Sequence, residues 1–428
     1  MMSDPFIYSA YAGLGGLLSP LLTPWLHWRA RNGKEILGRL GERSGIASRA
    51  RPGGRLIWIH GASVGESLSA LPMAQRIEAG DATVLFTTGT VTAAEIVEAR
   101  LGSRSFHQFA PLDIETWIDR FLDHWRPDAA IRIESEIWPA TLVSLSRRRI
   151  PIIAVNARLS QRSARGWRRW PGLARRLFGA LSAVGAQSDR DAALFAELGS
   201  PNVASVGNMK FSTPPLSSDP TALNEANRQA RGRPRWVAAS IHPGEDVVVG
   251  QAHVAVSRHI PRALLVAVPR HPERAIGMAA TMTRLGLKVA RRSLGQGIAD
   301  DTDVLLADTM GELGLFYRLC PVSFIGKTLA VGGGQNPIEP AQLGSAMTWG
   351  PDMSNFHDLA ASFEVSHAAI KVADAEQLGA TIAKLLTTAD LRDAMTTRAT
   401  ALIAANAGAL DRTMNMIRPY LGEAGLRS

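Results

Sequence analysis

Twelve short apolar runs alternate with helix-length stretches between Leu56 and Trp349, and that alternation restricts the chain to an α/β fold with parallel sheets. The first six predicted strands are Leu56–His60, Thr83–Thr88, Ala129–Ile133, Ile152–Asn156, Ala183–Gln187 and Val203–Val206. The second six are Trp236–Ala239, Ala263–Val268, Lys288–Ala290, Val304–Ala307, Val322–Ile325 and Ala346–Trp349. Between the sets lies Ser212–Asp219, STPPLSSD, whose Pro and Ser content reads as a linker. RLIWIHGASVGES opens the first half and RWVAASIHPGED the second; each is an apolar strand running into a Ser and a Gly-Glu pair, as two Rossmann-like domains would produce. A length of 428 residues fits this division, which sets boundaries at 1–30, 31–211, 212–222 and 223–428. Ligands of such sheets bind at the carboxyl ends of the strands, where the unusual sequences of this chain fall.

The segment 1–30 stands apart. Pro5 to Trp28 is 24 residues without a formal charge, long enough to cross a hydrocarbon core that needs roughly 20. No basic region precedes it, which argues against a cleaved signal peptide. Arg29, Arg31 and Lys34 follow at once, so the positive-inside rule places the rest of the chain in the cytoplasm. Pro20, Pro24 and the glycines weaken a helix here, leaving a spanning helix, an interfacial anchor and a buried core helix as alternatives.

At 46% hydrophobic and 20% charged residues, disordered, collagenous and disulfide-scaffold classes are excluded. Cys320 is the only cysteine, so the chain has no internal disulfide and no multi-cysteine metal site. Lys plus Arg is 47 against 38 for Asp plus Glu, a formal charge of +9 that calls for an anionic partner unless genome composition alone explains 41 arginines. The excess is local. Residues 147–176 hold ten arginines, no acid, and Trp167 and Trp170 among the Arg pairs, a composition suited to an anionic membrane surface; the N-terminal segment disfavours the competing nucleic-acid reading.

His60-Gly61-Ala62-Ser63-Val64-Gly65-Glu66 follows a strand and opens a helix, and three readings stand side by side. G-x-S-x-G is the nucleophile-elbow pattern of a serine hydrolase. Ser63 and Glu66 also have the spacing of a capping box. Alternatively, Glu66 is a general base, kept ionised by the helix N-terminus and approached across glycines. Glu134-Ser135-Glu136-Ile137-Trp138-Pro139 places two acids after another strand, for acid–base work or for capping. Lys210, one of six lysines, precedes the linker and from there can face an interdomain cleft. In the second half, Pro269-Arg270 presents a cation at a strand's end, a clamp for phosphate or carboxylate. Thr309-Met310-Gly311-Glu312 and Asn336-Pro337-Ile338-Glu339 read as helix starts; after Gly332-Gly333-Gly334, the second favours a phosphate at its N–H groups and sugar hydroxyls at Glu339. Three further patterns are set aside. Gly326-Lys327-Thr328 lacks the first glycine of a P-loop, Asp301-Thr302-Asp303 precedes a strand and reads as a turn, and His242, His253 and His259 lack metal-ligand spacing.

Taken in order, WIHGASVGE, ESEIWP, NARLS, GNMKF, SIHPGE, PRHPER, DTMGEL, GGQNPIEP and GPDMSNF resemble the Kdo transferases, which move 3-deoxy-D-manno-octulosonic acid (Kdo) from CMP-Kdo to lipid A precursor. The resemblance runs from the anchor to about Asp358. It implies a glycosyltransferase B fold, two Rossmann-like domains facing a cleft, with 31–211 binding the acceptor, 223–428 binding the CMP-sugar donor, and an anchor on the cytoplasmic face of the inner membrane. It makes Glu66 the base that deprotonates the primary hydroxyl of the distal glucosamine, with inversion, and makes Glu136 and Lys210 transition-state stabilisers. Pro269, Arg270, Met310, Gly311, Glu312, Asn336, Pro337, Ile338 and Glu339 resemble the CMP-binding segments. No metal or other cofactor is implied. Gln335 departs from a usual His and Asp352 from the usual GPH, both beside the donor segments. A membrane-anchored serine esterase using Ser63 and a non-catalytic protein binding anionic lipid through 147–176 are the rival readings.

Overall fold

The structure, a computed structural model, describes residues 6–212, 215–330 and 332–422. The chain divides into two compact units, Met1–Thr213 with Asn406–Ser428, and Pro214–Ala405. Thr213 and Pro214 of the linker region and Pro5 of the uncharged segment lie outside the described residues.

The first unit holds β1 (Leu56–His60), β2 (Thr83–Thr88), β3 (Phe106–Phe109), β4 (Ala129–Ile133), β5 (Ile152–Ala157), β6 (Ala183–Ala186) and β7 (Val203–Ser205), ordered β3-β2-β1-β4-β5-β6-β7. The second holds β8 (Arg235–Ile241), β9 (Leu264–Pro269), β10 (Val289–Arg291), β11 (Val304–Leu306), β12 (Val322–Ile325), β13 (Ala346–Trp349) and β14 (Ala369–Lys371), ordered β10-β11-β9-β8-β12-β13-β14. Every pairing is parallel. β1, β2 and β4 to β6 are buried at every residue, because helices cover both faces and each strand is therefore a continuous apolar run. One face of the first sheet packs Trp58, Leu85 and Ala130 against Phe121, Leu142 and Phe178. The other packs Ile57, Val84 and Ile131 against Met73, Ile77 and Ile417.

All twelve predicted strands form, with ends shifted by up to two residues; β3 and β14 were not legible as strands. In β3 the apolar signal is broken by His107 and Gln108, which are buried because Thr88 Oγ1 meets His107 Nε2 at 2.9 Å and Trp125 Nε1 donates to Gln108 Oε1 at 3.0 Å. β14 is a three-residue edge strand with one buried residue. At the C-terminus the division differs from a boundary running to 428. The helix Ala409–Leu421 buries Leu410, Met414, Ile417 and Leu421 in the first unit, so the chain returns there after Ala405.

Phe6–Arg31 is one 26-residue helix despite its two prolines. Pro20 has no N–H for the Gly16 carbonyl, and the Ser19 hydroxyl donates to that carbonyl instead, at 2.8 Å. Only 6% of its most apolar window is buried, which removes the core-helix reading; by length and composition the helix can cross a membrane. Leu14, Leu17, Leu18, Leu21, Trp25 and Trp28 are exposed. Both ends nonetheless touch the first unit. Tyr8 Oη donates to Glu115 Oε2 at 3.0 Å and Tyr11 Oη to Asp113 Oδ2 at 2.9 Å, while Arg29 Nε pairs with Glu35 Oε1 at 3.0 Å.

The acid-free run 147–176 is less uniformly available than its sequence implies, because neighbouring elements supply acids that the run lacks. Arg147 pairs with Glu115, Arg148 with Asp119 and Asp123, and Arg168 with Glu197. Arg162, Arg165, Arg169 and Arg175 are exposed, as is Trp170.

Candidate active site

In the first sheet the strand order reverses between β1 and β4, and the crevice beyond such a switch point is where ligands of this architecture bind. The segments that follow these two strands carry Glu66 and the acid pair Glu134 and Glu136. Ser63 is the N-cap of the helix Val64–Ala79 and its Oγ accepts from Glu66 N at 3.3 Å. The Glu66 carboxylate folds back, accepting from Ser63 Oγ at 2.8 Å and from Ala62 N at 2.8 Å. Capping and the catalytic reading are therefore compatible: the cap fixes the carboxylate at the mouth of the sheet. Burial, reinforced by Glu134 and Glu136 and opposed by the hydrogen bonds from Ser63 and Ala62, pushes Glu66 up to about 7. The hydrolase reading lacks the histidine of a Ser-His-Asp arrangement among the described residues. Among the described residues no hydrogen bond joins Ser63 to a histidine, and buried His60 turns its Nδ1 to Thr87 Oγ1 at 2.9 Å.

The turn that carries Ala62 is tied to the rest of the unit. Gly89 N donates to Ala62 O at 3.0 Å, an approach too close for a Cβ on residue 89. Gly89 O accepts from Arg43 Nη2 at 2.8 Å, and Arg43 is paired within the protein to Glu35 at 2.9 Å.

After β4 the backbone kinks at Glu134, φ 58°, and sends the two acids in different directions. Glu134 Oε1 lies 2.5 Å from Lys210 Nζ. Glu136 Oε2 lies 3.7 Å from His60 Nε2 and 4.0 Å from Arg132 Nη2. Burial alone would push the Glu136 carboxyl up, but His60, Arg132 and Trp138 outweigh it and hold it below the usual carboxylate range. Burial and Arg132 push His60 down to about 4, so at neutral pH it acts on Glu136 as an uncharged ring.

Lys210 owes its place to Asn156 and Asn208. Asn156, fully buried with φ 52° at the end of β5, accepts from Met209 N through Oδ1 at 2.9 Å, and Asn208 Oδ1 accepts from Lys210 N at 3.0 Å. The structure thus brings Glu66, Glu136 and Lys210 to one edge of the first unit, and adds Glu134, Asn156, His60 and Arg132. Of these, His60, Glu134 and Asn156 stand inside the motifs WIHGASVGE, ESEIWP and NARLS, which is the signal that marks them.

In the second unit the order reverses between β8 and β12. Buried Glu245 holds the turn after β12: its carboxylate accepts from His242 N, Lys327 N, Thr328 N and Leu329 N at 2.7 to 3.0 Å. The SIHPGE acid is thus spent on backbone N–H groups. Glu245→Ala leaves these N–H groups without their acceptor and is expected to destabilise the protein by about 3 kcal/mol, read as an earlier transition in chemical denaturation of the full chain.

Arg270 is exposed and its N–H is bonded to Ile241 O at 3.0 Å, next to Pro269 at the end of β9. His242 is held below its usual range by burial, against Glu245, with Lys327, His271 and Arg270 adding to the shift. Arg270 and Lys327 therefore both lie near His242. Met310 is 74% exposed and Gly311 has φ 82°. Glu312 stands at the N-cap of Leu313–Leu319 and accepts from Arg292 and from Thr309 Oγ1. Asn336 Oδ1 accepts from Ile338 N at 3.1 Å and its Nδ2 donates to Glu339 Oε1 at 3.3 Å, but the helix starts one residue later than the motif suggests, with Pro337 and not Asn336 at its N-cap. The helix it precedes, Ile338–Gln342, has five residues, so its dipole adds little to phosphate binding. Gln335 Nε2 is 3.4 Å from His242 Nε2. Asp352 accepts from Ser354 N at 2.9 Å and presses on Gly332, where no Cβ fits.

The patterns set aside are structural. Thr328 Oγ1 donates to Ile325 O and accepts from Gly350 N, both at 2.8 Å; Asp303 Oδ2 accepts from Lys288 N at 2.8 Å; and buried His253 takes Trp236 Nε1 at 3.2 Å. Among the described residues, no group of three or more His, Cys, Asp or Glu is placed to hold a metal ion.

Two parallel seven-stranded sheets, each with its unusual side chains at a carboxyl-end switch point, define an enzyme of the glycosyltransferase B fold. A solved glycosyltransferase from Rickettsia africae shares that fold, with a TM-score of 0.52 and 11% identity over 87% of this chain and all of that one. The profile of the family described as 3-deoxy-D-manno-octulosonic-acid transferase (kdotransferase) matches residues 38–213. The 3-deoxy-D-manno-octulosonic acid transferase of Haemophilus influenzae is 31% identical over 421 residues, 96% of this chain and 98% of that protein. That of Bordetella pertussis is 33% identical over 423 residues, 95% and 97% of the two chains. This chain belongs to the Kdo transferase family, and its activity is that of a Kdo glycosyltransferase.

Proposed function

We propose that the chain transfers Kdo from CMP-Kdo to the primary hydroxyl on the distal glucosamine of a lipid A precursor, with inversion and without a metal, in lipopolysaccharide biosynthesis. The observation that carries this reading is the Glu66 carboxylate, fixed by Ser63 and Ala62 beside Glu134, Glu136 and Lys210 at the switch point of the first sheet. Glu66 takes the proton of the acceptor hydroxyl as that oxygen forms its bond to the anomeric carbon of Kdo. The bond from that carbon to the phosphate oxygen breaks, and CMP leaves with the electron pair. Lys210, held in place by Glu134, balances negative charge that shifts toward the leaving phosphate. Pro269 and Arg270, Met310 to Glu312 and Asn336 to Glu339 bind CMP, with Arg270 and the nearby Lys327 supplying positive charge that a helix of five residues does not.

The exposed apolar side chains of the N-terminal helix, with exposed Arg162, Arg165, Arg169, Arg175 and Trp170, support docking on the anionic cytoplasmic face of the inner membrane. Because both ends of the helix touch the first unit, the reading favoured is a helix lying along that surface rather than one leading away from it.

Incubating the full-length chain in detergent with CMP-Kdo and tetraacylated lipid A precursor, then weighing the product by mass spectrometry, tests the proposal. At least one Kdo adduct and released CMP are expected; no adduct with active donor and acceptor present overturns it. The acid limb of kcat/KM follows from Glu66. Only the ionised carboxylate accepts a proton, so the rate is expected to rise with pH through about 7 and then level off. Neutral His60, pushed down to about 4, makes no step in that range. A limb near the ordinary carboxylate value in a pH–rate profile would remove Glu66 as the base.

A further inference from the structure

Arg132 is the second-last residue of β4 and is 2% exposed. Its side chain lies on the sheet face lined by Trp58 and Ala130, which is otherwise packed with Leu, Phe and Trp. The guanidinium is held between two aromatic rings, 5.5 Å from the Trp58 centroid and 4.9 Å from that of Trp138. Among the described residues none of its nitrogens makes a hydrogen bond, and neither do His60 Nε2 or Glu136 Oε2 beside it. A buried guanidinium with all its donors unspent is costly, and packing gives no reason for it: an unbranched apolar side chain would fill the same strand position without that cost. What the position does offer is charge. β1 and β4 are paired with His60 opposite Arg132, so the cation stands at the end of the sheet where the acids gather.

We infer that Arg132 is a positioning residue for the transfer reaction: a buried cation, clamped between Trp58 and Trp138, that serves as the internal counter-charge of Glu136 and Glu66. The groups facing it are His60 from β1, Glu66 from the helix Val64–Ala79, Glu136 from the segment after β4, and Asp113 from the segment before the helix Glu115–Trp125. Lys210 pairs with Glu134, and Arg43 acts on His60. Lys210 lies 2.5 Å from Glu134, and His60 is uncharged at neutral pH. That leaves Arg132, 4.0 Å from Glu136, as the full positive charge answering the remaining carboxylates. Burial lowers Arg132 only to about 10, so it remains a cation at neutral pH. With it in place Glu136 stays ionised and fixed, and Glu66 loses its proton at a lower pH than three crowded acids would otherwise permit.

This inference rests on Glu66 being the base, and the experiment separates the two. In the full-length protein with CMP-Kdo and lipid A precursor, Arg132→Met is expected to move the acid limb of kcat/KM upward by about one pH unit or more. Its rate well above the limb should fall far less than its rate at neutral pH, and its melting temperature should drop, because Glu136 is left without its counter-charge. Arg132→Lys, which keeps the charge, is expected to restore the limb to about 7. If Arg132→Met does not fold, Arg132→Gln carries the same expected shift. An unmoved limb in the charge-free variant, or an equal loss of activity at every pH, overturns the role of Arg132. Full activity of Glu66→Gln instead overturns the assignment of the base, whatever Arg132→Met shows.

Discussion

Replacing Glu66 by Gln is expected to lower the rate of Kdo transfer by about a thousandfold, the scale of a lost general base. The amide keeps an oxygen to accept from Ala62 N and can still meet Ser63, so the helix start survives and the melting temperature should barely move. On the proposed assignment CMP binds to the second unit, so its binding should be unchanged in calorimetry with CMP alone. The contrast carries the test. A variant that binds CMP normally and transfers nothing has lost the proton acceptor, whereas one that transfers at the parent rate shows Glu66 to be only a cap. Ser63→Ala should cost far less, because Ser63 orients the carboxylate and is not itself the nucleophile.

Lys210→Met is expected to reduce kcat by about a hundredfold or more, comparable to removing one preorganised donor from an anionic transition state. The methionine fills the space of the lysine stem, so the loss is that of a charge. Glu134 is then left without its partner at 2.5 Å, and an uncompensated carboxylate beside Glu66 and Glu136 makes proton release from Glu66 harder. A fall in kcat accompanied by an upward move of the acid limb is therefore expected; a rise in KM for the acceptor with kcat and the limb unchanged would reduce Lys210 to an acceptor contact.

Much of this architecture was legible in the sequence because buried parallel strands are short and apolar throughout. Their order was not, since periodicity says nothing about which strand lies beside which. The places where local reading failed share a cause. β3 carries His107 and Gln108, polar residues whose partners Thr88 and Trp125 are distant in sequence. The arginines of 147–176 find acids on Glu115, Asp119, Asp123 and Glu197, none of them inside the run. Glu66 and Lys210 were marked by motif and scarcity, whereas the pairing of Lys210 with Glu134 and the hold of Asn156 on Met209 follow backbone kinks at Glu134 and Asn156 that a strand-and-helix reading does not register, and the burial of Arg132 comes from helices covering its face of β4. SIHPGE is the most instructive case. It echoes the Glu66 segment in sequence, but Glu245 is spent on the backbone of a neighbouring loop.

The N-terminal helix is stitched to both acid-bearing segments. At one end Tyr11 bonds to Asp113, which in turn accepts from Ala140 N at 3.0 Å and Thr141 N at 2.8 Å, just beyond Glu136. At the other end Arg29 meets Glu35, Glu35 meets Arg43, and Arg43 supports the Gly89 carbonyl behind the Ala62 turn that holds Glu66. A shortened protein beginning after Arg31 is accordingly not the same catalyst freed from its tether. It is an enzyme with two seams cut, and rates measured on such a soluble form would describe a loosened site.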